Sequence, residues 1–365
     1  MSDPSTLAMP QAALSRNTIL RELEQFVRPS NRRGILLALR EYVLYWAAIS
    51  LVLFAPWMAL KLAAAAFAGF RLSSSYTLAH DAAHRALVKD RRLNWLIAML
   101  LGVPSCQNYR MWVADHNGGH HPKTNGEPVD FYRPLSKQEF DHLSVPAQWL
   151  ERFIRAPNVL GFWFNFMFRW LLPLRIHPTS ATLPRNRTKA RAYFFVMLAY
   201  HLALVTFLVL MAPLTNLSPM AAVLLGWLLP LCVHCAMSGA SLYLMHNNRR
   251  IPWFREGQDR SGFPPERCST HLVLPKVISK LVNNVYSHAA HHAHPGIPCY
   301  HLYEAQLHLN KLLGKRAVVE TMSLRNILAT MRACKLYDYD NHQWLDFDGK
   351  PTAPRITVEA QADWN

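Results

Sequence analysis

Three groups of histidines stand out in this 365-residue chain, which holds 18 in all. His80-Asp-Ala-Ala-His84 comes first, then Asp115-His116-Asn-Gly-Gly-His120-His121, and far along the chain His288-Ala-Ala-His291-His292. On a helix, residues i and i+4 lie on one face, so His80 and His84 can converge on one metal ion. His288, His291 and His292 have the same one-face spacing. A lone H-x-x-x-H arises often by chance in a histidine-rich chain; three such clusters carry weight together. Imidazole ligates iron as well as zinc, and eight or nine imidazoles exceed the roughly four to six ligands of one ion but suit two. Asp81, Asp115 and Asp130 lie beside the clusters; either they orient imidazoles through the second ring nitrogen or they are solvated loop charges. Gly118 and Gly119 each cost a helix roughly 1 kcal/mol against alanine, so a bend is expected in the second cluster.

The remaining histidines read as structural. His201 and His234 sit inside apolar stretches without clustered partners, as satisfied core residues do. His294 and His301 trail the third cluster, as surface groups in preference to partners of its ligands. His142, His177, His271, His308 and His342 are ordinary. His294-Pro-Gly-Ile297 lacks the second glycine of a haem-binding H-P-G-G, so no fused haem domain is indicated. The six cysteines show no framework spacing; Cys232-x-x-Cys235 falls in an apolar stretch, where thiols act as small hydrophobes.

The elements that must position these clusters are membrane helices. Hydrophobic residues make up 51% of the chain and charged residues 17%, lean in charge for a soluble protein. Four apolar stretches, about Tyr42–Leu60, Leu62–Ala79, Ala192–Met211 and Met220–Met245, approach the roughly 20 residues that cross a bilayer. Met1–Ser30 is polar and lacks the apolar core of a signal peptide. The net charge of +16 is unevenly spread, which points to a membrane partner rather than nucleic acid. His80–Arg191 holds 16 Lys+Arg against 8 Asp+Glu, and 15 Lys+Arg follow Met245, while the turns joining spans one to two and three to four are nearly uncharged. The positive-inside rule then puts both termini and the long middle segment in the cytoplasm, with two hairpins dipping into the membrane. Leu93–Val103 and Val159–Leu174 are too short or interrupted to span; Asn165, Arg169 and a run of aromatics mark the second as an interfacial helix. Arg71, inside the second stretch, either snorkels or pairs with an acid in the bundle.

With its neighbours included, this pattern resembles the membrane fatty acid desaturase family. Thr77-Leu-Ala-His-Asp-Ala-Ala-His84 looks like the family's first box. Tyr109-Arg110, the second cluster and Thr124-Asn125 and Asp130 look like its second box. Ser287-His-Ala-Ala-His-His-Ala-His294, with Ile297-Pro298 and Tyr300, looks like its third. Leu242-Tyr-Leu-Met-His246 resembles the segment that brings a further ligand histidine, though Leu242 stands where some members have asparagine. Cys334-Lys-Leu-Tyr-Asp338 is similar, more weakly, to the tail of acyl-lipid desaturases.

The resemblance implies an all-α integral membrane protein: four transmembrane helices in two hairpins, a cytoplasmic helical cap and one or two interfacial helices. Residues 1–41 form a cytoplasmic arm, 42–310 the desaturase-like domain and 311–365 a cytoplasmic tail. It also implies two irons on His80, His84, His116, His120, His121, His246, His288, His291 and His292. Molecular oxygen is then the co-substrate, a fatty-acyl chain the substrate, and a ferredoxin or cytochrome b5 type protein the external electron donor. Hydroxylases, ketolases, terminal-alkene-forming decarboxylases and small-metabolite desaturases share these boxes, and fold resemblance does not choose among them. From other classes, a histidine-rich metal transporter would place ligands at the midplane of its spans, and a zinc hydrolase would need a carboxylate base as in H-E-x-x-H, which is absent.

Overall fold

A computed structural model of the chain describes residues 15–127, 132–176, 187–359 and 361. Helix α1 (Asn31–Phe54) starts well before the expected Tyr42, where the Ser30 side chain accepts from Arg33 N as an N-cap. Pro56 stops it, since proline pushes the preceding residue out of helical geometry; Ala55 is extended at ψ 146. Helix α2 (Met58–Ala83) runs back along it. Lys61, wholly buried, donates from Nζ to the carbonyls of Val52 at 2.9 Å and Leu53 at 2.7 Å. Those carbonyls are among the last of α1 and lack helical partners, so the one charge in the hairpin turn caps the helix before it.

Helix α3 (Arg91–Gly102) packs on α2 and exposes Trp95, Leu96 and Leu100. The Val159–Leu174 stretch begins as the helix Val159–Phe164 and widens into a π-helix over Asn165–Ile176, with Pro173 inside it. Helix α4 (Arg187–Met211) is followed by one long rod, Pro219–His246, whose last part is α5 (Leu229–His246). Asn31–Phe54, Thr188–Leu214 and Pro219–His246 are long and apolar enough to cross a membrane, which makes three among the described residues rather than four. Helix α2 has the length but carries Lys61, Arg71 and Asp81 and a polar run at Ser73–Thr77. It lies instead between α1 and α5. At Gly69 an added Cβ would stand 2.5 Å from the Pro230 carbonyl oxygen, so the small residues of α2 serve close helix packing.

Arg71 pairs with an acid. Its Nε and Nη2 donate to Glu41 Oε2 at 2.9 and 2.6 Å, and Nη2 also reaches the Leu281 carbonyl at 3.1 Å. Arg40 and Asn283 contact the other Glu41 oxygen, so the network ties α1 and α2 to the loop ahead of the third box.

Beyond α5 the chain departs from all-α. Strand β1 (His271–Val273) pairs in parallel with β2 (Val319–Thr321), His271 opposite Val319; β3 (Leu336–Asp338) pairs antiparallel with β4 (Gln343–Leu345). Each strand has three residues, too short for alternation to show in sequence. Leu272 N donates to Tyr286 O at 3.2 Å, which fixes the approach to α6 (His288–Ala293). Helix α7 (Cys299–Leu313) follows. Ala289, Ala290 and Ala293 of α6 share an apolar core with Leu78, Ala79, Ala82 and Ala83 of α2. These small side chains bring the first and third boxes close.

Candidate metal centre

The nine histidines gather into two adjoining groups. His80, His84, His116, His121 and His291 form one, His120, His246, His288 and His292 the other; within each, the candidate ligand atoms all lie within 4.8 Å of one another. His80 and His84 close α2, one turn apart, and His246 is the last residue of α5. The second box leaves the α-helix after Trp112 and continues as a π-helix over Val113–His120. His121 N donates to His116 O, five residues back, at 3.1 Å. That wider turn puts the His116 and His121 Nε2 atoms 3.1 Å apart, and it is the form taken by the bend expected at Gly118-Gly119. π-turns of this kind recur at functional sites. On α6, His288 and His292 enter the four-histidine group, while His291 crosses to the five.

Other Nε2 pairs are equally close. His80 and His116 stand at 3.0 Å, His84 and His121 at 3.2 Å, His121 and His291 at 3.1 Å, His246 and His288 at 2.9 Å, and His288 and His292 at 3.0 Å. With metal–nitrogen bonds of about 2.0–2.1 Å, adjacent corners of an octahedron would be roughly 2.9 Å apart, so these edges fit a shared ion in each group. Burial, and then the neighbouring imidazoles, push His84, His116, His121, His288, His291 and His292 well below the ordinary 6.5. They are neutral at physiological pH, as ligation requires.

The outer nitrogens complete the test. His246 Nδ1 faces Asn125 Oδ1 at 3.0 Å, and Asn125 Nδ2 donates to the carbonyls of His246 and Pro252. Asn125 holds this post in the left-handed region, φ 56. Thr124 Oγ1 donates to the His120 carbonyl at 3.0 Å and lies 3.0 Å from His292 Nδ1. Both contacts put the ring proton on Nδ1 and free the Nε2 lone pair for an ion. Asp81 meets His80 Nδ1 at 3.3 Å and accepts from Cys299 N at 2.6 Å, which favours an orienting role over a solvated one. Asp115 lines the adjoining cleft; Asp130 lies outside the described residues. Neither group includes a cysteine or carboxylate. Such all-imidazole sets suit iron or a similar ion.

Histidines set aside in the sequence stay outside both groups. His201 accepts from Trp227 Nε1 and contacts Cys106; His234 contacts Ser73 and Ser238 through Nδ1. His294 and His301 face Glu24 and Arg33. Sequence reasoning assigned no role to Trp112, whose ring stacks on His116 at 4.3 Å; its place one turn before that histidine was the available signal. Glu41, the partner of Arg71, was also missed.

A cleft partly open to solvent, about 1130 Å³ with the open space at its mouth counted in, is lined by Phe70 and Met237 between α2 and α5, by Val285 and Tyr286, and by His80, His120, His246 and His291. It borders both groups.

A family profile described as fatty acid desaturase matches residues 55–322. Among curated proteins, a chloroplastic omega-6 fatty acid desaturase of Brassica napus is 24% identical over 326 residues, covering 87% of this chain and 68% of that protein. An sn-1 oleoyl-lipid 12-desaturase of Synechocystis is 25% identical, with 79% of this chain and 78% of that protein covered. A fatty acid desaturase of Bacillus subtilis is 23% identical over 92% of both chains. The chain spans about two thirds of the length of the plant relatives.

Proposed function

The chain belongs to the fatty acid desaturase family, and from that premise we propose that it introduces a double bond into a fatty-acyl chain. In the reaction, a –CH2–CH2– unit gives up two hydrogens, and dioxygen takes these with two electrons and two protons to leave two waters. The nine histidines hold two irons, which supply the oxygen activation that no side chain can. The observation that carries this reading is the pairing of two all-imidazole groups with a largely apolar cleft that ends on them.

Each methylene buried in the cleft contributes about 0.8 kcal/mol, so a dozen provide ample energy to hold the chain in one register. The cleft walls from α2 and α5 keep the reacting carbons beside His80, His120 and His291 and away from bulk water. Asn125, Thr124 and Asp81 keep imidazole rings from turning. Helix α2 completes a four-helix, two-hairpin membrane unit with its histidine ends on the cytoplasmic side. The electrons come from a separate ferredoxin or cytochrome b5 type donor.

Histidines at helix ends, rather than in mid-span, count against a metal transporter. A desaturase of a smaller, more polar molecule draws some support from the hydroxyls of Ser73, Ser238, Ser241 and Tyr286 on the cleft wall. Product analysis separates the two. Iron-loaded protein, given acyl chains of graded length with oxygen and reductant, should make one double bond at a fixed position. Turnover indifferent to chain length, or confined to short polar substrates, would reject the acyl reading.

A further inference from the structure

The proposed reaction needs two electrons from outside, and one file of aromatic rings leads from the surface to the histidines. Trp112 is 2% exposed and stacks on His116 at 4.3 Å and 26°, with its edge contacts to His80 at 5.1 Å and His84 at 5.3 Å. Tyr109 lies three residues back on the same helical turn, a neighbouring position, and lines the same small cavity as Trp112 and His80. Its ring is 5.8 Å from that of Tyr193 on α4. The Tyr193 hydroxyl accepts a 2.9 Å hydrogen bond from Trp95 Nε1 on α3, and Trp95 is 43% exposed. Aromatic residues also form membrane-interface belts. A belt accounts for Trp95 and Tyr193; it does not account for a buried indole stacked on a histidine of the five-member group.

Exposed cations precede both outer rings of the file in the chain. Arg85, Lys89, Arg91 and Arg92 are exposed ahead of Trp95, and Lys189 and Arg191 are exposed just before Tyr193. The one acid among residues 85–92 and 188–191 is Asp90, which caps α3 by accepting from Leu93 N. Basic groups of this kind steer and orient an acidic partner.

We propose that this face docks a small acidic one-electron carrier protein, and that Trp95, Tyr193, Tyr109 and Trp112 conduct its electrons to the five-histidine group. The inference rests on the proposed desaturation. Two carrier molecules dock in turn, each oxidised by one electron. The rings end unchanged, and the two protons come from solvent.

The test uses iron-loaded full-length protein in uncharged detergent, with a reduced acidic [2Fe–2S] ferredoxin as probe. A triple charge reversal, Arg91→Glu, Arg92→Glu and Lys189→Glu, should slow ferredoxin oxidation about tenfold or more at low salt and flatten its salt dependence. Turnover driven by dithionite through a small mediator should be unchanged. Trp95→Leu, at an exposed position, and Trp112→Leu should slow reduction by saturating ferredoxin without lowering iron content or ferredoxin affinity. An unaltered ferredoxin rate in the charge-reversed protein would overturn the docking face. Loss confined to binding of phosphatidylglycerol vesicles would make it a lipid site and overturn the proposal equally. Normal reduction in both tryptophan variants would overturn the route. Protein inert with the mediator as well would reject the desaturase reading, and this inference with it.

Discussion

The five-histidine and four-histidine groups share a residue type and a wall, and differ in burial, complete only in the four, and in what holds their outer nitrogens. In the four-member group, His246 and His292 are each fixed through Nδ1 by a side chain, Asn125 or Thr124, that is itself tied to backbone carbonyls. In the five-member group, His80 meets Asp81 at a longer 3.3 Å, while His121 Nδ1 and His291 Nδ1 are buried without a hydrogen-bond partner among the described residues. A buried polar group left unpaired costs about 1–3 kcal/mol, a cost that strong use of the opposite nitrogen can offset. One group gains its hold from orientation, the other from number. The same comparison explains why burial alone does not mark a metal site. His234 is also buried and His201 half-buried, but neither has clustered imidazoles: indole and thiol groups meet the His201 nitrogens, and serine hydroxyls meet His234 Nδ1.

The largest effects should come from removing one imidazole from each group. His291→Ala and His120→Ala are each expected to abolish turnover and to lower iron content from two per chain, the first through the five-member group and the second through the four. His201→Ala should leave iron content unchanged. Metal analysis beside activity decides it, and stoichiometric zinc with full activity in iron-free protein would erase the distinction altogether.

Next in size is a change that should act on both groups alike. Glu41 and Arg71 are 0% and 2% exposed, and their network reaches Asn283, just ahead of the α6 histidines that serve both groups. Removing one member of a buried ion pair costs about 3–5 kcal/mol, so Arg71→Ala should destabilise the fold by that order and loosen both ions together. Replacing both members, Glu41→Leu with Arg71→Met, should recover much of the loss. Unfolding in detergent, with metal release followed in parallel, measures both; selective loss of one ion would count against a shared anchor.

Asn125→Ala should separate the groups most cleanly. Loss of such a partner typically weakens metal affinity by about 10–100-fold, and here the effect should fall on one of the two ions. Asp81→Asn should act on the other and by less, given the longer contact. Competition with a chelator reads the two affinities; equal weakening of both ions by Asn125→Ala would remove the contrast.

The comparison also marks what was legible in the sequence. Histidine spacing singled out eight of the nine residues that the fold brings together, because helical periodicity is local and three boxes repeat it; His246, alone at a helix end, showed only through the resemblance. Their division into five and four was not legible. It depends on the π-turn across Val113–His120 and on His291 leaving the face of its neighbours, and neither is set by i, i+4 spacing. Membrane helices showed through their apolar runs, but α2 hid its nature, since Lys61 and Arg71 find their partners only after the hairpin closes. The four short strands offered no periodic signal. Asn125 was read as part of a motif, and its work on His246 needs a contact across 121 residues.

His271 supplies the smallest effect and a control outside both groups. Its place in the sequence is ordinary, yet it is 4% exposed, its Nδ1 pairs with Asn310 Nδ2 at 2.9 Å, and burial pushes it down from 6.5 to about 4. With the folded value below the unfolded one, the unfolded chain binds a proton between about pH 6.5 and 4 and the folded chain does not. Stability from this residue is therefore undiminished above pH 6.5, falls as pH drops, and levels off below about 4. The slope is about 1.4 kcal/mol per pH unit within that window. His271→Gln, which can still meet Asn310, should remove this share of the slope and leave both ions bound at neutral pH. If the variant loses iron at pH 7, the β1 strand is holding α6 in place through His271 itself, and the residue belongs to the support of the metal groups rather than outside them. If iron stays and the slope flattens, the six cluster imidazoles that burial pushes down hold a further share of the acid sensitivity, and metal loading should suppress that share while leaving the His271 share untouched.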